Sequence, residues 1–313
     1  MKSEQGRFYF IGTALAGIAF AVIWSLAFVV SKSALQSIPP LWLSGLRLIL
    51  AGGILLLVNG VAILSFWRRV DRRTLLRIVA AGVLSQAGYL GPMYWALVHL
   101  PTSIVNVVVS SLPLMGLPFC YFLLSEKIGI AGVVAFLLSI AGVTITLLGG
   151  NSLALSGFSA YGLSALMTVV SVMALALGNV LIKPIISDSA LLPFCAIQFV
   201  SSGVLLMALA VGCEGALVLD GNVLSQTALH LVFLSGVGSI LGTILWFRVL
   251  RAMPANAANS FFLLTPIFGV VLGHLIFSEP ITVSKMIGVL VIFSAITLRL
   301  GSLPYFKKLA GQS

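Results

Sequence analysis

Apolar residues along this chain run in long blocks, separated by short connections that hold most of the charge. Ten blocks approach the roughly 20 residues a helix needs to cross a hydrocarbon core. They cover about 8–30, 39–64, 74–97, 101–124 and 129–148, then 160–182, 191–212, 227–250, 254–277 and 282–300. The pattern predicts an all-α integral membrane protein of ten transmembrane helices. The first block follows Lys2 and Arg7, as a signal peptide would, but its 23 residues exceed a signal's apolar region and are enough to span.

One pattern occurs twice. Sliding 254–281 onto 101–128, an offset of 153, pairs Pro101 with Pro254, Asn106 with Asn259, Pro113 with Pro266 and Gly116 with Gly269. Ser125, Glu126 and Ile128 fall on Ser278, Glu279 and Ile281. Pro, Asn, Gly and Glu are rarely matched by chance in so apolar a chain, so this is an internal repeat. Earlier in each half an offset of 151 brings Lys32 onto Lys183 and Arg47 onto Gln198. Five blocks, an odd number, separate the copies, so they enter the membrane in opposite directions. The expected organisation is two inverted five-helix repeats, 8–148 and 160–300, followed by a short basic tail, 301–313.

Composition agrees with the membrane reading: of 313 residues 60% are hydrophobic and 8% charged, against roughly a quarter charged in soluble domains. Mean hydropathy is +1.19. A net charge of +10 could suggest nucleic acid, but the basic residues lie in short loops, where they set orientation. With the N-terminus inside, 14 of 17 fall on the cytoplasmic side; Lys32 and Lys285 lie outside and Arg47 within a span. Both termini are therefore expected in the cytoplasm. Cys120, Cys195 and Cys213 are too scattered for a disulfide framework or metal site. No catalytic constellation, metal spacing or phosphate loop is visible, so neither an enzyme nor a cofactor is expected.

Within each repeat, Asn and Pro stand seven apart and share a helix face. Pro113 and Pro266 should bend their helices and free the carbonyls of Val109 and Phe262, beside the polar stripe of Asn106 and Asn259. Arg47 lies eight positions beyond Pro39, about 12 Å along a helix, and should face protein or water rather than lipid. It could recognise a substrate carboxylate or phosphate, or clamp helix-end carbonyls. His99 and His274 lack a second ligand at metal spacing and suit structural roles. Glu126 and Glu279 end their helices, where a carboxylate opposes the helix dipole, so each should pair with a cation or cap the next helix's amides.

These residues together resemble the drug/metabolite transporter superfamily, in particular its ten-helix members with two EamA-type domains. The resemblance rests on Trp24-Ser25, Arg47, Tyr94-Trp95-Ala96-Leu97, and the Pro113 and Pro266 helices that close with Ser125-Glu126 and Ser278-Glu279. It implies a bacterial inner-membrane carrier working by alternating access, with a cavity lined by spans one, three, four, six, eight and nine. On those spans Trp24, Gln86, Tyr89, Tyr94, Asn179 and Trp246 supply aromatic faces and polar groups, a mixture suited to a small polar or amphipathic organic solute. Because span two is not a main cavity wall in the family, the clamp is the favoured role for Arg47. Gln198 at the counterpart of Arg47 makes any charge recognition there one-sided.

The function expected is secondary transport, with export of amino acids or related metabolites foremost. A lipid flippase and a non-transporting receptor or assembly protein are the rivals. The partners are the solute and the bilayer, and the chain is compatible with a homo-oligomer. None of the seven acidic residues falls inside a span, which argues for downhill transport without obligatory proton exchange. Reporter fusions after Ser152 and after Lys308 should read external and cytoplasmic respectively; the same location for both would sink the ten-span inverted repeat.

Overall fold

The computed structural model describes residues 2–125, 129–148, 158–186, 190–217, 221–253 and 258–301, and among these the chain is helical with no strand. An apolar chain in lipid has no water for its backbone, and a helix satisfies those groups within one segment. The first half contains α1 (Lys2–Ala34), α2 (Pro40–Arg69), α3 (Arg72–Gly82), a π-helical turn (Val83–Ala87) and α4 (Gly88–His99). It continues with α5 (Thr102–Ser110), α6 (Leu112–Met115), α7 (Leu117–Leu124) and α8 (Ile130–Leu148). The second half has α9 (Phe158–Ile182), α10 (Leu191–Cys213), α11 (Gly221–Phe233), a π-helical stretch (Leu234–Leu241) and α12 (Gly242–Ala252). A 3-10 turn (Asn259–Leu264), α13 (Thr265–Phe277) and α14 (Val283–Gly301) complete it.

Six of the described helices are long and apolar enough to cross a membrane, and a seventh results if the pair Thr102–Ser110 and Leu112–Leu124, bent by 44°, is one span. The third, ninth and tenth expected spans fall outside that set, the tenth as an apolar helix of shorter length, Val283–Leu298. The third block runs unbroken from α3 through the π turn to α4, but its first turns carry Arg72, Arg73 and Arg77. In the ninth, the 3-10 turn before α13 leaves only 13 residues of α-helix.

Leu57, Val61 and Ile130 are each more than four-fifths exposed, so the outer surface is aliphatic and fitted to lipid. Buried serines and threonines concentrate between helices, among them Ser25, Ser31, Ser171 and Thr265. Helices pair in a regular scheme: α2 lies on α10, α5 on α13 and α8 on α14. Each pair joins a segment to its own counterpart in the repeat. The contacts of α4 with α9 and of α12 with α1 exchange such counterparts, as a two-fold relation requires.

The duplicated ends share backbone detail. Ser125 and Ser278 terminate α7 and α13 in the left-handed conformation, with φ of 54° and 52°. Lys32 at the end of α1 donates to Leu100 O (2.6 Å), while Lys183, its counterpart, donates to Leu250 O and Met253 O. In each half a lysine thus takes up carbonyls left over at a helix C-terminus.

Helices approach closely where glycine permits. A Cβ on Gly178 of α9 would lie 2.7 Å from Ala81 O and 2.8 Å from Ser85 N. Those contacts are backbone and cannot rotate away. Gly178→Ala should therefore force α9 from the third block and lower stability by roughly 1–3 kcal/mol. An unchanged thermal melt of the purified variant would show that this approach is not required.

Candidate functional site

A cavity of about 20 Å³ lies near the centre of the bundle, walled by α1, α2, both π-helical segments, α4 and α12. It has room for about one water. Trp24, Ser31, Arg47, Gln86, Tyr89, Tyr94 and Ser239 face it. The π turns explain part of this convergence: each adds a residue to the helical repeat and rotates the helix beyond it, a distortion common at functional sites. Gln86 comes from the first π turn, and Gly238 and Ser239 from the second.

Arg47 is buried in this wall. Its Nε donates to Ser239 Oγ (2.7 Å) and its Nη1 to Tyr94 Oη (2.5 Å). Ser31 Oγ also donates to Tyr94 Oη (2.6 Å), so that oxygen accepts two bonds and keeps its own hydrogen to offer. The two partners of Arg47 are side chains from two other segments, not helix-end carbonyls. Trp24 Nε1 and Tyr89 Oη are buried without a hydrogen-bond partner, and their rings stack with centroids 5.4 Å apart.

Toward the N-terminal end of α1 an aromatic cluster packs against Trp24 of the cavity wall. Phe20 stacks on Trp246 (5.1 Å), and Phe262 meets Phe20, Trp24 and Trp246 edge-on at 5.2, 5.5 and 5.0 Å. Trp246 Nε1 donates to Asn179 Oδ1 (3.3 Å). Trp24, Arg47, Gln86 and Tyr89 therefore meet in one cavity, while Trp246 belongs to the aromatic cluster and holds Asn179 beside it. Asn106 lies elsewhere, at the crossing of α5 and α13, where a Cβ on Gly269 would be 2.4 Å from its own Cβ. Its Nδ2 donates to Thr102 O (3.0 Å) and its Oδ1 has no partner. The side chain of Asn259 is outside the described residues; its backbone opens the 3-10 turn.

Pro113 follows the break at Ser111, and Pro266 lies in the first turn of α13. Of the two carbonyls expected to be freed, that of Phe262 is taken up by a hydroxyl of the chain itself, as is that of Val108, next to Val109. Ser111 Oγ donates to Val108 O (2.6 Å) and Thr265 Oγ1 to Phe262 O (2.7 Å). Hydroxyls supplied by the chain itself thus satisfy the bent segments.

At the C-terminal end of α1 a second network closes the molecule. Glu279, just past α13, accepts from Thr102 N (2.6 Å), Ser103 N (2.9 Å) and Ser103 Oγ. It caps α5, whose amides lie 177 positions back, rather than the next helix. Lys285 Nζ donates to Ser103 Oγ and Pro280 O, both at 2.8 Å, and the His274 ring contacts Glu279 O (3.1 Å). His99 contacts Trp95 O (3.2 Å). Glu214 performs a similar task, accepting from Leu41 N (2.9 Å) and Trp42 N (3.1 Å) at the start of α2. Glu126 is outside the described residues. Sequence reasoning missed Glu214, Ser31, Ser239, Phe20 and Phe262. Ser31 alone carried a signal, standing seven residues after Trp24 on the same helix face.

Residues 11–148, and again 162–300, match the EamA-like transporter family. The chain belongs to that family. A Bacillus subtilis relative, "Uncharacterized transporter YvbV", is 25% identical over 91% of this chain and 90% of its own length. Two "Probable amino-acid metabolite efflux pump" proteins also match. That of Salmonella typhimurium is 26% identical over 88% of this chain and 90% of its own, and that of Escherichia coli 23% identical over 91% and 94%. A solved crystal structure shares the fold at a TM-score of 0.67 and 18% identity, covering 92% of this chain and 96% of that one. This EamA-like protein is thus a multi-pass membrane protein of a transporter family.

Burial raises the pKa of the Glu279 carboxyl, but its bonds from Ser103 and Thr102 outweigh this and hold it below the ordinary 4.5. A depressed folded-state value means that the cap contributes fully above pH 4.5 and fades as pH falls through that lower value. Glu279→Gln should reduce thermal stability at neutral pH and flatten the loss of stability below pH 4.5. Superimposable acid limbs for wild type and variant would refute this role.

Proposed function

We propose that this EamA-like protein is a secondary transporter that exports small organic metabolites, foremost amino acids or their close relatives, from the cytoplasm across a bacterial inner membrane. It works by alternating access between two inverted five-helix halves, with ten spans and both termini in the cytoplasm. The observation that carries this reading is the central cavity itself. It sets one cation and several polar groups in a mainly apolar lining, and draws its walls from both halves of the chain. Alternating access would require the aromatic packing against Trp24 and the Glu279 tie to α5 to be released in turn. The names of the Salmonella and Escherichia relatives support metabolite efflux. Small-molecule recognition by a few converging polar groups within apolar walls fits such a cargo.

Downhill transport remains the proposed mode. The described carboxylates Asp71, Glu214 and Glu279 are all engaged at helix N-termini, which leaves none of them free to carry a proton through the cavity. A second reading has one observation in its favour: an apolar groove of about 500 Å³, lined by residues such as Leu163, Leu205 and Leu209, could accept an acyl chain. In proteoliposomes, an imposed gradient of L-amino acids, with no pH gradient or membrane potential, should drive flux. Strict dependence on an imposed pH gradient would refute downhill transport. Movement of labelled lipid without movement of amino acids would favour a flippase.

A further inference from the structure

We propose that the transported solute must carry a carboxylate, and that Arg47 is the specificity-determining residue that reads it. This rests on the transporter reading above and adds a chemical requirement to the cargo.

Arg47 is only 6% exposed, and its cationic charge meets neutral hydroxyls alone. Among the described residues no carboxylate answers it. Asp71 caps α3 through Thr74 N, Glu214 caps α2 and Glu279 caps α5. A buried charge without a counter-ion costs several kcal/mol in stability, whereas supplying the missing anion recovers much of that cost. A structural clamp would have filled the guanidinium with carbonyl acceptors. Here Nε and Nη1 are used, and Nη2 faces Gly238, where an added Cβ would stand 3.1 Å away.

The rest of the wall has the same bias. An indole N–H can only donate, and that of Trp24 is buried and unpartnered. The Tyr89 hydroxyl beside it is also unpartnered, and Tyr94 has a hydrogen to spare. A cation flanked by these donor groups favours an acceptor-rich anion and repels an ammonium group. The single cation selects a monoanion, because a dianionic phosphate would bring a second, uncompensated charge into the bundle. An amino acid would therefore place its carboxylate at Arg47 and its ammonium group away from it. A volume of about 20 Å³ does not hold a carboxylate, so the walls must part for the solute to enter.

The test uses the full-length protein in detergent and in proteoliposomes. Probes are the twenty L-amino acids, their decarboxylated amines, simple monocarboxylates and inorganic phosphate. Carboxylate probes should raise the melting temperature of the wild type and exchange across the membrane, whereas amines and phosphate should do neither. Arg47→Gln should weaken binding of an active probe on the order of 10- to 100-fold, the scale of a lost charge-assisted hydrogen bond. Should that variant fail to fold, Gly238→Ala keeps the charge, places a methyl against Nη2 and should also weaken binding. Amines that bind as well as carboxylates would overturn the inference, as would a folded Arg47→Gln with wild-type affinity. If any probe is transported while Arg47 proves irrelevant, only this inference falls. If the wild type moves no probe, the transport reading falls with it.

Discussion

Every helix that ends inside a membrane protein leaves backbone groups that lipid cannot solvate, and this constraint organises the molecule. Four charged side chains answer it. Lys32 and Lys183 take carbonyls at the ends of α4 and α12, while Glu214 and Glu279 take amides at the starts of α2 and α5. Each partner lies far along the sequence, so capping simultaneously ties distant segments together. These four charges act as fasteners between helices. Arg47, by contrast, serves no backbone end.

Duplication explains the architecture and its departures explain the site. The lysine pair, the left-handed serines and the π-helical segments occur in both halves, and the contact scheme pairs segments with their counterparts. Arg47 breaks the pattern, since its counterpart is Gln198, packed beside Gly82 with both amide atoms unpartnered. Two symmetric halves would offer a solute the same group from both sides. A single arginine gives the cavity a polarity along which a zwitterion can be oriented.

Much of the fold was legible because the bilayer demands long apolar blocks and the repeat uses distinctive residue types. Pro113 and Pro266 marked the unusual helices, and depth together with family resemblance pointed to Trp24, Arg47, Gln86 and Tyr89. Asn106 was misleading: a shared helix face with Pro113 does not say whether that face meets a cavity or Gly269. The Glu279 cap was illegible for another reason. A carboxylate past a helix end announces a need for donors, but only the tertiary fold reveals that they lie 177 residues away. The π segments leave no compositional mark, so the convergence of Gln86 and Ser239 could not be foreseen.

The π segments also constrain how such a site can change. A π turn accommodates one residue more than the α-helical ladder would. Were 83–87 wound as a regular α-helix with every residue kept, everything downstream would rotate by about 100° relative to everything upstream. Tyr89 and Tyr94 would swing off the cavity wall together, although neither had been altered. The pocket is thus set by how this one turn is wound as much as by the identities of its residues, and the same residues on a regular helix would not converge there.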